Sequence, residues 1–227
     1  MSQSTESYRY ERKFLVPRPF AVEPGIRRNP ACFSPIYHPR VVNNIYLDSP
    51  GLRFYFHSVD GAPDRIKVRI RWYGELLGIS SRPVLEFKIK RGLLGTKESF
   101  PLKPLHLDET FTQASLQRIL RDSDLPPHAW QVVNRLEPAL INRYRRSYQQ
   151  SADRKYRLTL DSHLEFHRVR TGRNSFFGTV RHVPFQVVEL KYDQAYAEGA
   201  DGVSRALPFR MTKMSKYTHG MDSVDGF

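Results

Sequence analysis

Basic side chains recur at every second position along several segments of the chain. Side chains of a β-strand point alternately to opposite faces, so each run places its cations on one face. Like charges at facing positions of neighbouring strands repel, and an ordinary polar face therefore mixes both signs. Such a concentration of Lys and Arg indicates a surface that binds an anion, although a solvated basic face is the alternative for any single strand. The cations concerned are Lys67, Arg69, Arg71, Lys88, Lys90, Arg146 and Arg157.

Phosphate is the anion that these side chains suit best. Arg offers a planar fork for two oxygen atoms, and Lys offers a movable point charge. Carboxylates stand on the same faces, in a Glu-x-Lys pattern at Glu11/Lys13, Glu86/Lys88 and Glu189/Lys191. Glutamates are poor phosphate ligands, but they suit Mg²⁺ or Mn²⁺, which bridge protein carboxylates to phosphate oxygens. The alternative role of each glutamate is a salt bridge with the neighbouring lysine. The sequence favours neither role for Glu11 and Glu86, and it favours metal binding for Glu189.

The composition describes a folded, basic protein. The chain has 227 residues, with 36 Lys and Arg against 23 Asp and Glu, which gives a formal net charge of +13. This balance implies an anionic partner. The 40% of hydrophobic and 12% of aromatic residues exclude a disordered basic tail. The length favours a single domain over residues 1–227, with about six disordered residues at each end.

Cysteine usage and hydropathy limit the location of the protein. A single cysteine, Cys32, excludes an intramolecular disulfide and a zinc site of several thiolates, and it favours a reducing compartment. The sequence contains no apolar run of roughly 18 residues, and its polar start lacks the apolar stretch of a secretory signal. We expect a cytoplasmic protein without a membrane segment of its own, and leave a membrane-protein partner open.

Alternation and turn residues predict an α+β fold of mostly antiparallel β-structure, with about eight strands and a few connecting helices. Six prolines between residues 17 and 39 predict a long loop that contains at most a short helix. Helices are expected at residues 109–121, near Trp130 and, as a short helix or irregular turn, at residues 52–58. Strands are expected at residues 8–16, 41–47, 65–73, 84–90, 96–102, 140–149, 155–161, 164–169 and 185–191.

Eight segments, in this order, resemble the triphosphate tunnel metalloenzymes and, within them, the VTC-type polyphosphate polymerase domain. Together the segments cover most of the chain. The first strand has a single Glu-x-Lys where the CYTH branch has Glu-x-Glu-x-Lys, which favours the polymerase branch over adenylate cyclase or thiamine triphosphatase. The segments are YERKF (10–14), NIYLDS (44–49), KVRIRWYG (67–74), LEFK (85–88), YRRSY (144–148), RLTLD (157–161), VELK (188–191) and KMSKYTHG (213–220).

The resemblance implies a closed tunnel of eight antiparallel strands with a basic lumen and peripheral helices. It implies that Lys213 and Lys216 belong to a short C-terminal segment that closes on the phosphates. The catalytic residues expected on this basis are Arg69, Arg71, Lys88, Arg146, Arg157 and Lys213. Further phosphate-binding residues are Lys13, Lys67, Lys90, Lys97, Lys191, Lys216 and Ser215. The metal ligands expected for Mn²⁺ or Mg²⁺ are Glu189, Glu11 and Glu86.

The expected activity is metal-dependent transfer of the terminal phosphoryl group of ATP to inorganic polyphosphate. The first alternative is a tripolyphosphatase, which would use the same ligands with water as the acceptor. The second is a basic barrel that binds nucleic acid without catalysis. Base stacking requires aromatic rings among the cations, but Trp72 and Phe87 lie on the opposite face, so a nucleic-acid partner is disfavoured. The expected partners are ATP, tripolyphosphate and polyphosphate.

Overall fold

A computed structural model describes residues 9–225 of the chain, except residues 19, 93, 170–173 and 175–179. The predicted disorder at the start of the chain lies outside the described residues. At the other end a helix continues to residue 225, so the prediction of six disordered C-terminal residues is wrong for residues 222–225. No helix in the described part is long and apolar enough to cross a membrane.

Strands dominate the fold, as predicted. They are β1 (Arg9–Pro17), β2 (Ser34–Asp48), β3 (Asp64–Tyr73), β4 (Gly78–Ser80), β5 (Val84–Arg91), β6 (Leu94–Pro101), β7 (Leu105–Leu107), β8 (Glu137–Gln150), β9 (Tyr156–Arg168), β10 (Val180–His182), β11 (Phe185–Asp193) and β12 (Arg210–Thr212). The helices are α1 (Val22–Arg27), α2 (Arg53–Val59), α3 (Gln113–Asp122), α4 (Pro127–Val133), α5 (Ala197–Arg205) and α6 (Lys216–Asp225), and a 3₁₀ turn covers Gln194–Tyr196.

One large antiparallel sheet holds the eight long strands. Its order is β12-β1-β11-β9-β8-β2-β3-β5-β6, with β10 paired to β9, while β4 and β7 form a separate pair. The sheet curls so that its two ends approach each other. Lys88 Nζ on β5 lies 2.6 Å from Glu11 Oε2 on β1, although these strands stand near opposite ends of the strand order. Within the described residues no strand pairing joins β6 to β1 or β12. Closure into a barrel therefore stays a prediction.

Three predicted elements differ from the structure. β2 begins at Ser34, inside the segment predicted to be a loop, because strand pairing with β8 outweighs the local effect of the prolines. α3 begins after Thr112, whose side chain caps the backbone N–H of Ser115, and not at Glu109. The strands predicted at 155–161 and 164–169 are one strand, β9, in which the positive φ of His163 accompanies a register shift against β8.

Apolar side chains on the outer side of the sheet pack against the helices. Trp72 and Phe87 are buried in one cluster with Leu116 of α3 and Ala129 of α4, which confirms that these rings face away from the basic residues. The helix α6 packs on β8 and β9 at Gly220, where an added Cβ would lie 2.5 Å from side-chain atoms of Leu140 and Phe166. Gly220 therefore permits the close approach that seats α6 on the sheet.

Candidate functional site

The curl of the sheet brings the basic faces of the strands together. We call this side of the sheet the inner face. It is built by side chains that are distant in sequence but lie within hydrogen-bond or ion-pair distance of one another. The ionisable residues that meet there are Glu11, Lys13, Lys67, Arg69, Arg71, Glu86, Lys88, Lys97, Arg146, Asp161, Glu189, Lys191 and Lys216.

Glu86 holds the cations of β3 and β6 in place. Its Oε2 accepts hydrogen bonds from Arg69 at 2.8 and 2.7 Å and lies 3.5 Å from Arg71 Nη1, while its Oε1 lies 3.1 Å from Lys97 Nζ. Burial alone would raise the pKa of Glu86, but these three cations lower it to about 2. Glu86 is thus a carboxylate saturated by salt bridges, as the alternative interpretation of the sequence allowed.

Arg71 has a second set of partners that fixes the direction of its guanidinium. Its Nε donates to Asn44 Oδ1 at 3.0 Å, and its Nη2 donates to the hydroxyl of Tyr144 at 3.3 Å. Asn44 is itself held by Asn142, with 2.7 Å between Nδ2 and Oδ1. Burial would raise the pKa of Tyr144, but the charges of Arg146 and Arg71 lower it. Arg71 is therefore preorganised by buried neutral groups.

Asp161 and Glu189 form the most buried part of the inner face. Arg146 makes a two-pronged contact with Asp161, at 2.5 and 2.6 Å, and its Nη2 lies 3.4 Å from Glu189 Oε2. Lys216 Nζ, at the start of α6, lies 2.6 Å from Asp161 Oδ2 and 3.1 Å from Glu189 Oε1. Despite burial, these opposite charges lower the pKa of both carboxyl groups and raise those of Arg146 and Lys216.

Glu11 is the carboxylate with spare bonding capacity. Its Oε2 accepts from Lys88 at 2.6 Å, but its Oε1 is buried without a hydrogen-bond partner, and Lys13 Nζ is 3.9 Å away. Burial and the charge of Glu189 would raise the pKa of Glu11, but Lys13, Lys88 and Lys191 lower it to about 2. Burial lowers the pKa of Lys88 to about 8, against the attraction of Glu11.

The inner face carries more positive charge than its carboxylates neutralise. Burial and the charges of Lys13 and Lys88 hold the pKa of Lys67 well below its usual range, and its Nζ donates to Ser215 Oγ at 2.7 Å. Burial and Arg65 similarly lower the pKa of Lys90. Burial by itself lowers the pKa of a lysine, and neighbouring cations lower it further. The ionisable residues of the inner face are nine Lys and Arg against four carboxylates. The inner face can therefore bind a polyanion whose charges replace the missing negative groups.

Most of the predicted site residues meet on the inner face, but three lie at its margin. Arg157 and Lys213 are exposed, and Lys90 is half-buried near the end of β5. Arg157 pairs in register with Lys191, so it stands on the inner side near the end of β9. Ser215 contacts Lys67, as described, and Lys191 Nζ lies 3.0 Å from Glu189 Oε2.

The sequence analysis missed several residues of the inner face. Asp161 shares the alternation of Arg157 on β9 and would have been found by treating a lone acid on a basic strand face as a partner of the basic residues. Asn43 and Asn44 stand between apolar pairs, Val41–Val42 and Ile45–Tyr46, which is a signal of a buried polar contact. Tyr144 carries no such signal, because its role depends on where Arg71 and Arg146 converge.

A divalent cation fits the inner face only if it shares its ligands with phosphate. Among the described residues, no group of three or more Asp, Glu, His or Cys side chains is arranged to hold a metal ion alone. Glu11 offers an unpartnered buried oxygen, and it lies close enough to Glu189 for their charges to interact. One or two carboxylates together with phosphate oxygens is the ligand set that Mg²⁺ commonly takes. Glu11 supplies the free oxygen, and Glu189 is its neighbouring carboxylate, although Glu189 also pairs with Lys191 and Lys216. Glu86 pairs with Arg69 and Lys97 instead.

Comparison with known proteins identifies the family. A family model described as the VTC domain matches residues 9–225. The chain therefore belongs to the VTC domain family, which confirms the resemblance seen in the sequence. No curated protein matches the chain.

Solved structures share the fold at low sequence identity. A proposed adenylate cyclase from Vibrio parahaemolyticus aligns with a TM-score of 0.52 and 11% identity, over 94% of this chain and 97% of that chain. A protein from Pyrococcus horikoshii OT3 aligns with a TM-score of 0.50 and 11% identity, over 93% of this chain and 97% of that chain. These alignments cover nearly the whole of each chain, so the large curled sheet is a fold found in other solved proteins.

Proposed function

We propose that this protein is a metal-dependent phosphotransferase that moves the terminal phosphoryl group of ATP to inorganic polyphosphate, within a single tunnel domain in the cytoplasm. The observation that carries the proposal is the excess of cations on the inner face, where nine Lys and Arg side chains meet only four carboxylates. A triphosphate or a phosphate chain supplies the anionic oxygens that this surface lacks.

The chain's own groups would act mainly by positioning and neutralising charge. In the transfer, the bond from the γ-phosphorus to the β–γ bridging oxygen breaks, a terminal oxygen of the chain bonds to that phosphorus, and ADP leaves. Negative charge develops on the transferring oxygens, and preorganised cations stabilise it. Arg71, oriented by Asn44 and Tyr144, and Arg146, oriented by Asp161, have the fixed geometry for this role.

The acidity of the carboxylates supports a phosphate acceptor over water. A water nucleophile benefits from a general base whose pKa lies near the working pH. The pKa values of Glu11 and Glu86 are about 2, and those of Asp161 and Glu189 are also lowered, so these groups are weak bases. The terminal phosphate of a polyphosphate chain, with a second pKa of about 6, is already anionic at neutral pH. It needs no base.

Glu11 and Glu189 would hold the metal ion. Mg²⁺ or Mn²⁺ would supply charge neutralisation for the phosphate oxygens. Lys13 lies 3.9 Å from both carboxylates and would retain the phosphates beside them. The expected closed tunnel would surround the chain on all sides and limit access of water.

Hydrolysis of tripolyphosphate is the second candidate, and one observation favours it. Lys88 has a pKa of about 8, so part of the population carries a neutral amine near neutral pH. A neutral amine can accept a proton from an attacking water. Binding of phosphate next to Lys88 would raise its pKa again and weaken this base. We therefore rank hydrolysis below transfer.

Product analysis tests the proposal. The full chain is incubated with ATP and Mn²⁺ or Mg²⁺, with Arg71→Met as the matched variant that loses one oriented cation. We expect ADP and long polyphosphate chains on a gel from the wild-type protein, and neither product from the variant. Release of free phosphate without chains would assign the protein to the hydrolases. Unchanged ATP in every metal would overturn both candidates.

A further inference from the structure

An arginine surrounded by three tyrosine rings stands at one end of the inner face. The guanidinium carbon of Arg40 lies 5.4 Å from the ring centre of Tyr37, 5.7 Å from that of Tyr73 and 5.9 Å from that of Tyr148. Tyr37 and Tyr148 also meet edge to face, with ring centres 5.7 Å apart. Cation–π contacts of this kind hold aromatic rings in a defined arrangement. We call these four residues the tyrosine cluster.

The register places the tyrosine cluster on the same side of the sheet as the basic residues. Tyr73 follows Arg71 by two positions on β3, and Tyr148 follows Arg146 by two positions on β8, so each ring points to the inner side. Two residues along a strand span about 7 Å. The tyrosine cluster therefore lies about 7 Å along the strands from Arg71 and Arg146, the cations that would hold phosphate.

A β-bulge brings Tyr37 and Arg40 into the cluster. Tyr37 pairs with Tyr148 and Arg40 pairs with Arg146, so β2 advances three residues while β8 advances two. The extra residue keeps both side chains on the inner side, where regular alternation would send one of them outward. Bulges re-aim side chains in this way beside functional sites. The segment from Ser34 to Pro39, predicted to be a loop, thus has a structural purpose.

Two rings of the tyrosine cluster are open to a ligand. Tyr37 is 54% exposed and Tyr73 is 50% exposed, although both are large aromatic side chains on the inner side of a sheet. Exposed aromatic rings beside arginine form the surface on which nucleobases stack, because every base presents a π face. Unlike Trp72 and Phe87, which are buried on the outer side of the sheet, these rings stand among the cations.

We infer that Tyr37, Arg40, Tyr73 and Tyr148 form a stacking site for the nucleobase of the nucleoside triphosphate whose phosphates occupy the inner face. This inference rests on the proposed function, which supplies the triphosphate. Phosphates held at Arg71 and Arg146 leave the ribose and the base on the Tyr73 side, where the rings are exposed. The site distinguishes ATP from tripolyphosphate, because only ATP carries a group that stacks.

Paired titrations of ATP and tripolyphosphate test the inference. Calorimetry compares the wild-type protein with Tyr73→Ala, Tyr73→Phe and Tyr37→Ala, all on the full chain. We expect each alanine variant to bind ATP about 5- to 20-fold more weakly, the scale of one lost stacking contact, and to bind tripolyphosphate as the wild type does. Tyr73→Phe, which keeps the ring, should bind ATP normally. Phe56→Ala, which removes an exposed ring of α2, is the matched control and should change neither affinity.

Each other outcome has a defined meaning. Equal weakening of ATP and tripolyphosphate in the alanine variants, or unchanged ATP binding, would overturn the stacking site. Binding of a single-stranded oligonucleotide that lacks a triphosphate, with the affinity of ATP and the same loss in Tyr73→Ala, would overturn it in favour of a nucleic-acid surface. A wild-type protein that binds neither ATP nor tripolyphosphate would overturn the proposed function itself.

Discussion

Lys216 of α6 and Asp161 of β9 form a buried ion pair, with 2.6 Å between Nζ and Oδ2. The two side chains are 7% and 0% exposed. The pKa of Lys216 is raised and that of Asp161 is lowered, so each charge is stabilised more in the folded protein than in water. The C-terminal helix is therefore held to the inner face of the sheet by charge as well as by apolar packing.

Replacing Lys216 should destabilise the protein far more than replacing its neighbour Lys213. In Lys216→Met the Asp161 and Glu189 carboxylates lose a buried partner, a loss that commonly costs about 3–5 kcal/mol. Lys213→Met removes the same charge from the same segment, but Lys213 is exposed, and we expect a change within about 0.5 kcal/mol. Urea unfolding measures both. Equal free energies of unfolding for the two variants would contradict the importance of the ion pair.

Stability of the ligand-free protein should rise between about pH 8 and pH 10. The pKa of Lys88 is about 8 in the folded protein against 10.5 ordinarily, and that of Lys67 is also lowered. In this window the unfolded chain binds more protons than the folded one, so the free energy of unfolding increases with pH. The contribution of Lys88 to this increase is smaller than its pKa shift alone would give, because 43% of its side chain is exposed and solvent screens its charge.

Thermal unfolding at several pH values checks this slope, with Lys88→Met as the comparison. The variant should show a smaller rise, because only Lys67 and Lys90 then remain as described lysines with a lowered pKa. Saturating tripolyphosphate should abolish the rise in the wild-type protein, since bound anions favour the protonated lysines. A melting temperature that falls steadily from pH 8 upward, equally in both proteins, would contradict the lowered pKa values of Lys88 and Lys67.

The three predicted metal ligands should differ in how their replacement changes the Mn²⁺ dependence of turnover. Glu11→Gln and Glu189→Gln should raise the Mn²⁺ concentration for half-maximal turnover by at least about tenfold, since even residues behind the ligands cost that much. Glu86→Gln should leave the Mn²⁺ dependence unchanged and only reduce stability, because Arg69 loses its partner. Glu189→Gln should change both, because Lys191 and Lys216 lose a partner as well. Turnover against Mn²⁺ concentration and the melting temperature are measured for all three variants. A shifted Mn²⁺ dependence in Glu86→Gln alone would reverse this assignment.

Tripolyphosphate should stabilise the native protein without any metal. A ligand at about 100 times its dissociation constant adds about 2.7 kcal/mol to the free energy of unfolding. For a chain of this length that corresponds to a rise of about 5–10 °C in the melting temperature. Inorganic phosphate at the same ionic strength is the control, since it spans fewer of the cations. A melting temperature that tripolyphosphate leaves unchanged would exclude the inner face as a polyanion site.

Alternation along single strands predicted which face of β3 and β5 carries the cations, because that property depends only on neighbouring residues. It did not predict how deeply each side chain is buried. Arg157 and Arg146 look alike in the sequence, yet one is exposed and the other is buried against Asp161. Burial depends on how the sheet curls. The curl is set by contacts between distant residues, such as that of Glu11 with Lys88, which are 77 positions apart.

The tyrosine cluster and the long β2 strand were beyond sequence analysis for a related reason. Prolines at 35 and 39 favour a loop by local rules, but pairing with β8 extends the strand through them. The bulge that turns Tyr37 and Arg40 to one side is a property of that pairing. Local composition therefore indicated the class of ligand, while the partners of each side chain came from strand register.

Titration of tripolyphosphate into two arginine variants tests most directly the claim that the inner face binds the phosphate chain. Arg71→Met removes a cation held by Asn44 and Tyr144, whereas Arg145→Met removes an exposed cation of β8. Loss of charge-assisted hydrogen bonds should weaken binding about 10- to 100-fold in Arg71→Met, and Arg145→Met should bind as the wild type does. Equal affinities in the two variants, or no binding by the wild-type protein, would contradict the account.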